Sequence, residues 1–126
     1  MTHLERIAAF VCGSDMASMP AVHRARLRLH AADAGVALIA AAKSPEGRHL
    51  RALARGRGDI EGTAGLATAL IRTAETDDIH LGSCVTPTSV ALPAAALTGA
   101  REATTVENAL RVCVELAVRL GRAIDG

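Results

Sequence analysis

The stretch TVENALRVCVELAVRLGRAI, Thr105 to Ile124, decides the fold class. Glu107, Arg111, Glu115 and Arg119 recur every four residues, so each carboxylate is placed one helical turn from an arginine. Arg122 extends this polar stripe, and almost everything else is apolar: Val106, Ala109, Leu110, Val112, Cys113, Val114, Leu116, Ala117, Val118, Leu120, Ala123 and Ile124. A surface helix of a small domain needs an apolar band of about 100°. This one is apolar around most of its circumference, so it requires neighbours on several sides. Thr104-Thr105-Val106-Glu107 reads as its capping box.

Outward from this helix the pattern stays helical. Thr2 caps a first helix running to about Val11, with Leu4, Ile7, Ala8 and Val11 on one face, and Gly13-Ser14-Asp15 stops it. Ser18 and Pro20 open a long second helix whose apolar side is Val22, Leu27, Leu29, Val36, Leu38 and Ile39, with Gly35 in its interior. Ser44-Pro45-Glu46 starts a third, which ends at Gly56 to Gly58. A fourth covers about Thr63 to Thr73 and a short fifth, containing Pro93, about Thr88 to Leu97. No β alternation is long enough for a strand. The expectation is an all-α array of five to six helices in one domain, residues 1–126.

Composition narrows the function classes. The 126 residues are 50% hydrophobic but hold one aromatic, Phe10, and about a fifth are alanine. Disorder is excluded by that apolar excess. With 14 basic against 13 acidic residues, net charge attracts no nucleic acid, and stacking aromatics are missing for single strands. The most apolar run, Ala31 to Ala42, is broken by Asp33 and lies beside Arg24, Arg26, Arg28 and Lys43, so no membrane span is expected. The start, Met1-Thr2-His3-Leu4-Glu5-Arg6, has no basic segment followed by an apolar one, and a cytoplasmic location follows by default. Cys12, Cys84 and Cys113 are odd in number and widely spaced, which fits neither a disulfide framework nor a C-x-x-C zinc site. They read as reduced thiols, with Cys12 and Cys113 as small core residues. Short alanine-rich helices without aromatics fill space poorly, so the chain is expected to complete its core with a larger partner chain or by self-association.

Polar chemistry concentrates between Glu75 and Ser89. Glu75, Asp77, Asp78, His80, Cys84 and several hydroxyls lie on a stretch of the kind that sets side chains between rigid helices. Asp77, Asp78 and His80 offer metal-ligand chemistry, and Cys84 with His80 a nucleophile pair. A carboxylate here suits a general base. The plainer alternative is that the aspartates cap turns and His80 makes a buried hydrogen bond. Ser83, Thr86 and Thr88 are candidate caps for the fifth helix, whose N-terminus favours an anion.

The segment DDIHLGSCVTPTSVALPAAAL followed by RVCVELAVRLGRAIDG resembles the N-terminal helical part of the MmgE/PrpD family of 2-methylcitrate dehydratases, cis-aconitate decarboxylases and iminodisuccinate epimerases. The motifs are Asp77-Asp78-Ile79-His80, then Pro87-Thr88-Ser89-Val90-Ala91-Leu92-Pro93, then Arg119-Leu120-Gly121-Arg122-Ala123. The resemblance implies proton transfer next to a carboxylate of a small polycarboxylic acid, as a lyase or isomerase. It implies no organic cofactor and no metal. Glu75, Asp77, Asp78 and His80 would be catalytic, and Thr86, Thr88, Ser89 and Cys84 would contact substrate. Thr86 stands where dehydratase and decarboxylase members usually carry histidine, and Glu75 where they carry aspartate, whereas the Ser83-Cys84-Val85-Thr86-Pro87 form is closer to the epimerase-like branch. Family members are several times longer, so this chain would be one piece of a split enzyme, inactive alone. The alternative is a noncatalytic helical module that dimerises or stabilises a partner.

Overall fold

The computed structural model describes residues 1–76, 78–97 and 102–125. Among them are six α-helices and no strand beyond one isolated bridge, His80 to Val85. The all-α expectation holds.

α1 (His3–Gly13) opens on a reciprocal capping box: Glu5 N donates to Thr2 Oγ1 at 3.2 Å and Thr2 N donates to Glu5 Oε2 at 2.7 Å. A short 3-10 turn, Met16–Ser18, follows, held by Ala17 N donating to Asp15 Oδ1. It sets Met16 into the core. α2 (Ala21–Lys43) starts directly after Pro20, whose fixed φ suits a helix entrance. α3 (Pro45–Leu53) has proline in its first turn, and the Ser44 hydroxyl accepts from Gly47 N. α4 begins three residues earlier than the sequence suggests, at Ile60, because Asp59 caps it through Gly62 N, and it runs to Thr73. α5 (Pro87–Leu97) likewise begins at its proline, and α6 (Ala103–Asp125) extends the signature helix at both ends.

α5 is the central element. Pro87, Thr88, Ser89, Ala91, Pro93 and Ala95 are all buried, because α2, α4 and α6 pack around it. Met16, Leu27, Ala91, Ala95 and Leu110 form one core cluster, and Ala34, Ala37 and Ile71 a second. Leu92 packs against both. Small residues at these contacts bring helix axes close together while burying little apolar area per residue. Much apolar surface stays uncovered: α1 has no buried residue, and Leu4, Leu53, Leu81 and Ile124 are all more than three-quarters exposed.

Three local expectations are corrected. The apolar residues expected on one side of the second helix do not share it: Leu27 and Leu38 face the core, whereas Val22, Leu29, Val36 and Ile39 are exposed. Cys12 is exposed and not a core residue, and Cys113 is half-buried. Thr104 and Thr105 lie inside α6, which begins at Ala103, so they do not cap it. Glu107 turns instead to α2, where Arg28 Nε donates to Oε1 at 2.7 Å and Nη2 to Oε2 at 3.1 Å. Arg111 Nη1 donates to the Asp15 carbonyl, so the regular carboxylate–arginine ladder survives at Glu115–Arg119 while its first rung is traded for tertiary contacts.

The hydrogen bond from Arg28 holds the Glu107 carboxyl below the usual glutamate range. A carboxylate with a depressed pKa stabilises the fold above its unfolded-state pKa, and the contribution is lost as pH falls through the folded value. Glu107→Gln is therefore expected to have a slightly lower Tm than the parent at neutral pH. The gap should close in acid, as checked by thermal melts from pH 7 to pH 3.

Candidate functional site

The loop between α4 and α5 is folded against α6. His80 N donates to the Val85 carbonyl at 2.9 Å, closing a small loop around the 3-10 turn Leu81–Ser83. α6 passes beside it at Gly121, where a Cβ would sit 2.7 Å from Ser83 O and 2.8 Å from Ser83 Cβ. That approach requires a glycine, and it anchors the turn carrying His80 to the last helix.

Asp78 is the organising residue. Its Oδ2 accepts from Thr88 Oγ1 at 2.6 Å, and its Oδ1 from Thr88 N at 3.2 Å. The anion favoured at the start of α5 is thus supplied by the chain itself. The cap comes from ten residues upstream and not from Ser83, Thr86 or Thr88. Asp78 Oδ2 also lies 3.6 Å from His30 Nδ1 on α2, an ion pair when that imidazole is protonated. The His80 ring shares a hydrogen at 2.8 Å between Nδ1 and Ser83 Oγ. Asp78, His30 and His80 line one cleft of about 300 Å³, with Leu27, Ile79, Pro87, Thr88, Val114 and Val118. Among the described residues, neither lysine nor arginine lines it.

Of the other sequence candidates, Glu75, Cys84, Thr86 and Ser89 do not line this cleft. Glu75 is exposed and follows α4 with φ of 51°, a left-handed conformation that turns the chain. Cys84, exposed and also left-handed at φ 49°, directs its thiol at the Leu81 carbonyl. Ser89 is fully buried and donates to the Thr86 carbonyl at 2.8 Å, closing the first turn of α5. Asp77 lies outside the described residues. Among the described residues no three His, Cys, Asp or Glu side chains gather as a metal site. Sequence reasoning missed His30, which sits in Arg28-Leu29-His30-Ala31-Ala32-Asp33 with no local cue to a partner 48 residues away. No protein-family model, curated protein or solved structure matches this chain. No helix among the described residues is long and apolar enough to cross a membrane.

The three thiols differ in exposure. Burial pushes the Cys113 thiol up, disfavouring its thiolate, whereas Cys12 and Cys84 are exposed. Titration with a thiol reagent at pH 8 is expected to show two fast groups and a third at least about tenfold slower. A third equally fast thiol would show that the α5–α6 packing opens readily.

Proposed function

We propose that this chain is the helical portion of an MmgE/PrpD-like lyase or isomerase that moves a proton at the carbon next to a carboxylate of a small polycarboxylic acid. A larger chain or a second copy would complete it. The reading is supported chiefly by one arrangement: the approach of His30 to Asp78 at a cleft that His80 also lines. Abstracting a proton beside a carboxylate creates an enediolate-like charge, which needs cationic or hydrogen-bonding groups as well as a tuned acid or base. Asp78 Oδ2, 3.6 Å from His30 Nδ1, sets a carboxylate beside that imidazole at the cleft. Ser83 fixes the His80 ring through Nδ1, leaving Nε2 to take up or release a proton. Among the described residues no arginine or lysine lines the cleft, so the groups that grip substrate carboxylates would come from the completing chain. The exposed apolar residues of α1 and α6 give that chain somewhere to dock.

The test is co-purification from the native source, followed by proton exchange in D2O on small di- and tricarboxylates, read by NMR. Exchange is expected from the assembled complex and not from this chain alone. It should fall by about 100-fold or more in His80→Gln. Exchange unchanged in that variant would overturn the catalytic role. A second reading, a noncatalytic helical module, is favoured by the use of Asp78 as a helix cap. Under it, His30→Gln and His80→Gln leave any activity of the complex untouched.

A further inference from the structure

An exposed apolar seam runs along α2, opposite its core face. Val22, Ala25, Leu29, Ala32, Val36 and Ile39 alternate at spacings of three and four over three heptads. Every one of them is exposed: Val22 by 57%, Leu29 by 70%, Val36 by 66% and Ile39 by 60%, with the two alanines exposed as well. The residues that bury α2 against the domain, Leu27, Ala34, Ala37 and Ala41, lie on the other side of the same helix. One helix therefore carries two apolar stripes, and the outer one has the period of a two-helix seam.

We propose that a second copy of this chain covers this stripe, with the two α2 helices packed antiparallel about a two-fold axis. The inference is independent of the catalytic reading above. Two features of the stripe single out a second copy. The first is charge. Arg26 and Asp33 flank the seam on one side, seven residues apart, both exposed. In an antiparallel two-fold pair, like flanks meet, so Arg26 of each copy faces Asp33 of the other, twice over. A parallel pair would instead have to recruit Arg28 from the opposite flank, and Arg28 is already held by Glu107 of its own chain. The second feature is size. Antiparallel pairing centred between His30 and Ala31 sets Leu29 against the partner's Ala32 and Val36 against the partner's Ala25. Large then meets small along the middle of the seam, which lets the axes approach closely.

Sedimentation equilibrium of the full chain in reductant, which prevents disulfide dimers through exposed Cys12 and Cys84, reads the proposal directly. The parent is expected to reach twice the 13.0 kDa chain mass, and Leu29→Glu to remain at the single mass. Arg26→Asp and Asp33→Arg each place like charges opposite one another, and each alone should raise the dimer dissociation constant about fivefold or more. Mixed in equal amounts, those two variants restore both attractive pairs, and parent-like dimerisation should return. That recovery also shows that both variants are folded. A monomeric parent would overturn the proposal. So would dimerisation insensitive to either charge reversal, or single variants that fail to recover on mixing while keeping the parent's helical circular dichroism.

Discussion

Gly47→Ala is expected to cost about 3 kcal/mol or more of stability, because its Cβ makes the tightest approach among the described glycines. Gly47 lies in the first turn of α3, where Ser44 Oγ holds its N–H. A Cβ there would fall well inside contact distance of the Ala41 carbonyl oxygen, 2.8 Å from the Ala41 carbonyl carbon and 3.1 Å from Leu70 Cδ2. Two of those three atoms are backbone at the end of α2, so the strain cannot be relieved by a rotamer change. The α2–α3 corner would have to open, and with it the contact of both helices with α4. For a domain of this size, 3 kcal/mol lowers Tm by roughly 10 °C or more. Gly65→Ala is the control. Gly65 lies within α4 with nothing near its Cβ position, so the substitution should stabilise by about 0.5–1 kcal/mol through helix propensity alone. Melting both variants beside the parent checks the pair. A Gly47→Ala protein as stable as the parent would show that the α2–α3 corner is looser than this packing.

How far the fold could be read from the amino-acid order follows from the range of the forces involved. Helix identity was legible because caps and prolines act within one turn: Thr2 with Glu5, and Ser44 before Pro45, are local signals answered locally. Which side of α2 is covered was not legible. Its apolar residues populate both faces, and periodicity alone does not say which stripe another helix takes. Glu107 illustrates the competition. Its position favours a capping box or an Arg111 partner, yet the arginine that folding brings alongside is Arg28, and a bidentate bond to it displaces the local choices. The site divides the same way. Its segment stood out by density of polar groups, and His80 and Asp78 do share a cleft. The contribution of His30 and the diversion of Glu75 into a chain turn depend on tertiary placement that local spacing does not encode.

Asp78→Ala should destabilise the chain by about 2–4 kcal/mol, more than an ordinary lost helix cap. An exposed cap removed by alanine costs about 1 kcal/mol, because water replaces the missing acceptor. Here Thr88 is only 1% exposed, and both its N–H and its hydroxyl donate to the one carboxylate. Removing it strands two buried donors at the start of the helix around which the rest of the domain packs, and each carries a desolvation penalty. Asp78→Asn separates the contributions. Its amide oxygen can accept from one donor, but its NH2 cannot accept from the other, so an intermediate loss is expected. Thr88→Val in the Asp78→Ala background removes the stranded hydroxyl, and stability should partly recover. Denaturant melts of the four proteins read this order directly. A loss below about 1 kcal/mol for Asp78→Ala would mean that solvent reaches the α5 N-terminus. The same cycle bears on catalysis: because Asp78 holds up α5, lost activity in an Asp78 variant says little about proton transfer. His80→Gln, on a side chain that bonds within its own loop, is the cleaner probe of chemistry.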